Sequence, residues 1–141
     1  MSSTILEKLA LGLSGLTAIG IGTFILAAPH AFYASYGITL GQDASLLSEL
    51  RAPAAGLAAF GLIMLIGIWQ QTMTRVSKIV ALAVFLAFPA GRFIGLMIDG
   101  QPSSGILGAF IFELAVAILC LFAFRDRAEP DTVEPKPQIQ N

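Results

Sequence analysis

The sequence predicts an all-α protein: a four-helix transmembrane bundle with an interfacial outer segment between its first and second helices. Three observations predict it. Hydrophobic residues make up 56% of the 141 residues and charged residues 12%, against about 25% charged in an ordinary soluble domain. Four stretches, at about 9–28, 44–69, 79–98 and 106–124, carry few charges and reach the roughly 20 residues a helix needs to cross the hydrocarbon core. Lysine and arginine gather at alternate ends of these stretches, as they do where loops alternate between the two sides of a membrane.

The first span follows a short polar start, 1–8. It reads as a retained helix, because its apolar run is longer than that of a signal peptide, Lys8 alone precedes it, and Pro29 follows the small-residue site at Ala28. Ser14, Ala18 and Gly22 recur every fourth position and allow a neighbouring helix to approach closely. The segment 29–42 (PHAFYASYGITLGQ) is broken by Pro29, Gly37 and Gly41 and cannot span. Its Phe32, Tyr33 and Tyr36 suit the headgroup level, so it is expected to lie along the outer surface as a lid. His30, the sole histidine, reads as an interfacial polar residue of that lid.

Asp43 is placed to cap the second span, 44–69, by accepting from its first free N–H groups. Pro53 removes the donor that would bond the Glu49 carbonyl, and a kink is expected there. The stretch 70–78 (QQTMTRVSK) reads as a polar turn, and the third span, 79–98, carries Pro89 and Arg92. A tight connection, 99–105 (DGQPSSG), offers Ser103 or Ser104 as the cap of the fourth span, 106–124, which holds Glu113. The tail 125–141 has three prolines and no hydrophobic periodicity, and is expected to be disordered. Lys8, Arg75, Lys78, Arg125 and Arg127 all fall on one side of this arrangement, which predicts that both termini are cytoplasmic.

Composition also excludes function classes. A net charge of -1 without a basic stripe gives no footprint for nucleic acid. One cysteine, Cys120, allows neither an internal disulfide nor a CxxC pair, and one histidine beside it is too few for a zinc or haem site, so no metal or cofactor is expected.

The chemistry lies in ionisable residues inside the spans. Each costs roughly 2.5–3.5 kcal/mol at a helix centre, so each needs a partner, a cavity or a ligand. Counted from the outer helix ends, Glu49, Arg51, Arg92 and Glu113 fall at a similar depth of roughly 8–11 Å. Glu49 and Arg51, two residues apart, point about 200° away from each other and must reach different neighbours. Arg92 is expected to bridge Glu49 and Glu113, with Arg51 joining Glu113 or facing the cavity and Asp99 extending the network at the mouth. The network either fixes helix register or lines a cavity open to the outer face, with apolar walls from Phe85, Phe88 and Phe112 and a lid containing His30, Tyr33 and Tyr36.

The segments 29–37 (PHAFYASYG), 48–52 (SELRA), Gly91-Arg92, 99–102 (DGQP) and 112–114 (FEL) together resemble, over about 11–121, a family of short bacterial four-span membrane proteins of unknown function in the DoxX-like group. The resemblance implies four helices and an inner-membrane location. It implies no established activity, and the cysteines of thiol-oxidising relatives are missing here.

Three function classes stay open from the residues. The first is a binding or accessory protein for a lipid, a quinone or a larger membrane complex, alone or as a homo-oligomer. The second is a proton-linked carrier using Glu49 or Glu113, and the third an intramembrane enzyme using one of these carboxylates as general acid or base.

Overall fold

The computed structural model describes residues 4–125, which form five helices: α1 (Ile5–Ala27), α2 (Pro29–Ala34), α3 (Ala44–Trp69), α4 (Gln71–Asp99) and α5 (Ser104–Ala123). All but α2 are long and apolar enough to cross a membrane. The expectation of a disordered tail at 125–141 falls, beyond residue 125, outside the described residues.

Local chemistry sets the helix ends. Thr4 accepts from the backbone N–H of Glu7 at 3.2 Å while Glu7 accepts from the Thr4 N–H at 2.9 Å, a capping box that starts α1 four residues before the expected span. Asp43 accepts from Leu46 N–H at 2.8 Å and starts α3. Ser103 occupies the N-cap position of α5 but spends its hydroxyl on the Tyr36 carbonyl at 2.9 Å, tying the α4–α5 turn to the chain that leaves α2. Gly37 and Gly100, at φ 78° and 92°, take the left-handed conformations that turn the chain after α2 and after α4.

One expectation is corrected. The stretch 70–78 is not a turn: α4 begins at Gln71, and only Gln70 separates it from α3. The stretch is polar but lacks glycine and proline, and its polar side chains find local partners. Thr74 donates to the Gly67 carbonyl at 2.9 Å, and Ser77 donates to the Ile63 carbonyl at 2.6 Å. Gly67, against which Ser77 packs, admits it because no Cβ stands in the way.

Small residues set the closest helix approach. A Cβ on Gly61 would stand 2.7 Å from the Gly15 carbonyl oxygen, and one on Gly22 would stand 2.6 Å from the Ala54 carbonyl oxygen, so α1 and α3 meet backbone to backbone, antiparallel. Around the bundle α1 packs on α3 and α5, and α4 packs on the same two, while α3 and α5 do not meet. Leu11, Met64, Ala81 and Cys120 fill the half of the core nearer the ends of the described chain, where Ser14 Oγ lies 3.2 Å from Cys120 Sγ. At that end Lys78 Nζ sits 2.6 Å from Glu7 and over the Phe124 ring, so the start of α1 and the end of α5 share one face of the bundle.

Candidate functional site

The other half of the bundle is not filled. Between α1, α3, α4 and α5, beneath α2, lies a cavity of about 510 Å³. Ile21 and Ile25 of α1, Leu57 of α3, Phe85 and Phe88 of α4, and Phe112 of α5 make its walls apolar. Its charged wall is an ion pair: Arg92 on α4 donates through Nε to Glu113 Oε2 at 2.8 Å and through a terminal nitrogen to Oε1 at 2.9 Å. The fork is planar and charge-assisted, and it satisfies both carboxylate oxygens at once. Glu113 is 7% exposed in its side chain and Arg92 30%, so the carboxylate is the buried member and the guanidinium edges into open space.

Tyr33 and Tyr36 of the α2 segment line the same cavity. An edge-to-face chain of rings holds them there: Phe24 of α1 against Phe32 at 5.5 Å, and Phe32 against Tyr33 and Tyr36 at 5.3 and 5.2 Å. Burial pushes the Tyr33 hydroxyl above its ordinary value of 10.0, more than the nearby Arg92 charge lowers it, so the phenol stays protonated at neutral pH. His30 does not line the cavity. Its Nε2 lies 3.2 Å from the Gly41 carbonyl oxygen, where it ties the connection back to α2.

The expected five-member network is corrected to one pair. Glu49, Arg51 and Asp99 are exposed, and none forms an ion pair among the described residues. Arg51 donates instead through Nε to the Leu26 carbonyl at 3.1 Å, near the end of α1. The cause is helix rotation. The inward face of α3 runs through Ala54, Leu57, Gly61 and Met64, and one turn back it continues to Leu50, which lines the cavity. Glu49 and Arg51 therefore fall about 100° to either side of that face and leave the bundle interior. Arg92 and Glu113 meet because they lie on sides of α4 and α5 that face each other. The link between Ser103 and Tyr36 carries no signal in sequence beyond a serine near a helix start.

This fold and this site define a class: a small multi-pass α-helical membrane protein with an ion pair on the wall of an internal cavity. The family described as Domain of unknown function (DUF4345) matches residues 6–124, and the chain belongs to it. No curated protein and no solved structure matches the chain.

Proposed function

We propose that the protein binds one amphiphilic molecule, a lipid or a quinone, in the cavity between its helices, and acts as a binding or accessory protein. The observation that carries this reading is the cavity itself. Its volume of about 510 Å³ falls within the roughly 300–1,000 Å³ of small-molecule sites, and it pairs apolar walls with a few polar groups and an aromatic lid. A pair that served register alone could be packed against side chains on every side, whereas Arg92 lines the cavity and keeps 30% side-chain exposure.

The same geometry weighs against the carrier and enzyme readings. Both oxygens of Glu113 accept from Arg92, so the carboxylate is engaged in the fork and not held free toward the cavity. Glu49 lies outside the cavity lining. We also assign the protein to the bacterial inner membrane, with both termini in the cytoplasm and the α2 lid outside, on the lysine and arginine distribution, and to the DoxX-like group on the segments it shares with it.

Native mass spectrometry of the protein extracted from its own membrane tests this reading. The expected result is a stoichiometric small-molecule adduct that disappears in Gly108→Leu. Gly108 lines the cavity, and a Cβ there meets nothing within 4 Å, so the added side chain fills space without a clash at its root. The bare mass in wild type, or an adduct that survives the substitution, would refute it. The same spectra read any second copy or partner subunit.

A further inference from the structure

We infer that the occupant of this cavity is an uncharged, membrane-dissolved molecule whose polar end is a hydrogen-bond acceptor, a carbonyl-type oxygen on an apolar chain or ring. The inference rests on the cavity reading and adds the chemistry of the occupant.

The first support is charge balance. Arg92 and Glu113 neutralise each other through two hydrogen bonds. An anionic head group would have to break that fork or share it, leaving a net negative charge in a low-dielectric site, and a cationic one would face a guanidinium already committed to its carboxylate. A neutral polar group meets neither penalty.

The second support is a surplus of donors. Both Glu113 oxygens are engaged, while the remaining terminal nitrogen of Arg92 makes no hydrogen bond to any described residue. Tyr33 and Tyr36 line the same space, and neither hydroxyl is bonded to a described residue. The Thr17 hydroxyl, on the α1 wall, can serve either way. An acceptor oxygen entering among these groups completes bonds that the protein leaves open.

The third support is the route. Phe88 and Arg92 line both the cavity and a shallow groove on the outward side of α4, together with Ala87 and Gly91. The cavity and the groove thus meet at these two side chains, beside two small residues. Arg92 lies seven residues before Asp99, roughly 10 Å along the axis from the end of α4 and set back from the helix terminus. A polar group set back from the helix end is reached at lower cost by an uncharged amphiphile than by a charged one, because burying charge away from the membrane surface is expensive.

Three probes of equal chain length test the inference: 2-dodecanone, laurate and dodecylamine, each titrated against the full chain in nanodiscs and read by native mass spectrometry, with Gly108→Leu as the background for bilayer partitioning. The ketone is expected to bind at least tenfold more tightly than either charged probe, and Tyr33→Phe and Tyr36→Phe are each expected to weaken it about three- to tenfold while leaving thermal stability within a few degrees. Equal or tighter binding of laurate or dodecylamine overturns the inference while leaving a binding cavity in place. Ketone affinity unchanged in both tyrosine variants overturns the role of the donors. Binding of all three probes at the Gly108→Leu background overturns the cavity reading together with the inference.

Discussion

Removing the Glu113 carboxylate should destabilise the bundle, and removing both members of the pair should largely undo the damage. Glu113→Ala deletes two charge-assisted hydrogen bonds, each worth about 1.5–3 kcal/mol, and leaves the guanidinium without a counter-charge. The full loss for a buried pair would be about 3–5 kcal/mol. Arg92 retains 30% side-chain exposure and opens on a cavity, so it can recover part of its solvation, and about 3 kcal/mol is the better figure. For a chain of this length that lowers Tm by about 10 °C. Glu113→Gln keeps one acceptor for Arg92 and should cost about half as much. The double variant Glu113→Leu with Arg92→Leu carries no unpaired charge and should lie within about 1 kcal/mol of wild type. A double-mutant cycle on thermal or denaturant unfolding in one detergent reads the coupling, expected at about 2–3 kcal/mol. Coupling below about 0.5 kcal/mol, or a double variant no more stable than Glu113→Ala, would refute the claim that the fork holds Glu113 in the interior.

Further perturbations separate the remaining claims. Gly61→Val places a Cβ 2.7 Å from the Gly15 carbonyl oxygen and should cost about 3 kcal/mol, the upper end of overpacking effects, whereas Gly20→Ala meets nothing within 4 Å and should gain up to about 1 kcal/mol of helix propensity; equal Tm shifts would contradict the close approach of α1 and α3. Because the Tyr33 phenol is raised above 10.0 in the folded chain, the folded state holds its proton more tightly than the unfolded one. That stabilisation is complete below pH 10 and falls as pH rises through the folded value, so Tyr33→Phe should flatten the alkaline limb of a Tm-against-pH curve; an unchanged limb counts against partial burial of the phenol as the cause. In intact cells a membrane-impermeant maleimide should label Gln101→Cys and spare Thr72→Cys, with buried Cys120 unreactive in both; the reverse pattern would invert the assigned orientation.

Much of this architecture is legible in the residues. Length and apolarity mark the four spans, Asp43 marks the start of α3, and the pattern of proline, glycine and aromatics after α1 marks a segment that cannot cross. What composition does not carry is rotation about a helix axis. Depth along the chain places Glu49 and Arg51 level with Arg92, yet only the row of Leu50, Ala54, Leu57 and Gly61 tells which way α3 turns, and read at helical spacing that row would have sent both charges outward. Polarity likewise does not separate a turn from a polar helix start. Residues 71–78 are helical because nothing in them breaks a helix and the Gly67 notch receives Ser77. The Thr4 capping box was available as Thr-x-x-Glu, and four residues of α1 follow from it.

The order of the ion pair along the chain has a consequence for biogenesis. Arg92 leaves the ribosome before Glu113, so the third span is made before the carboxylate with which it pairs. The apolar remainder of α4 offsets a cost of roughly 2.5–3.5 kcal/mol until α5 brings that carboxylate. Arrival of the last helix is then the step that completes the pair, and a chain arrested before it would leave Arg92 without the carboxylate that holds it.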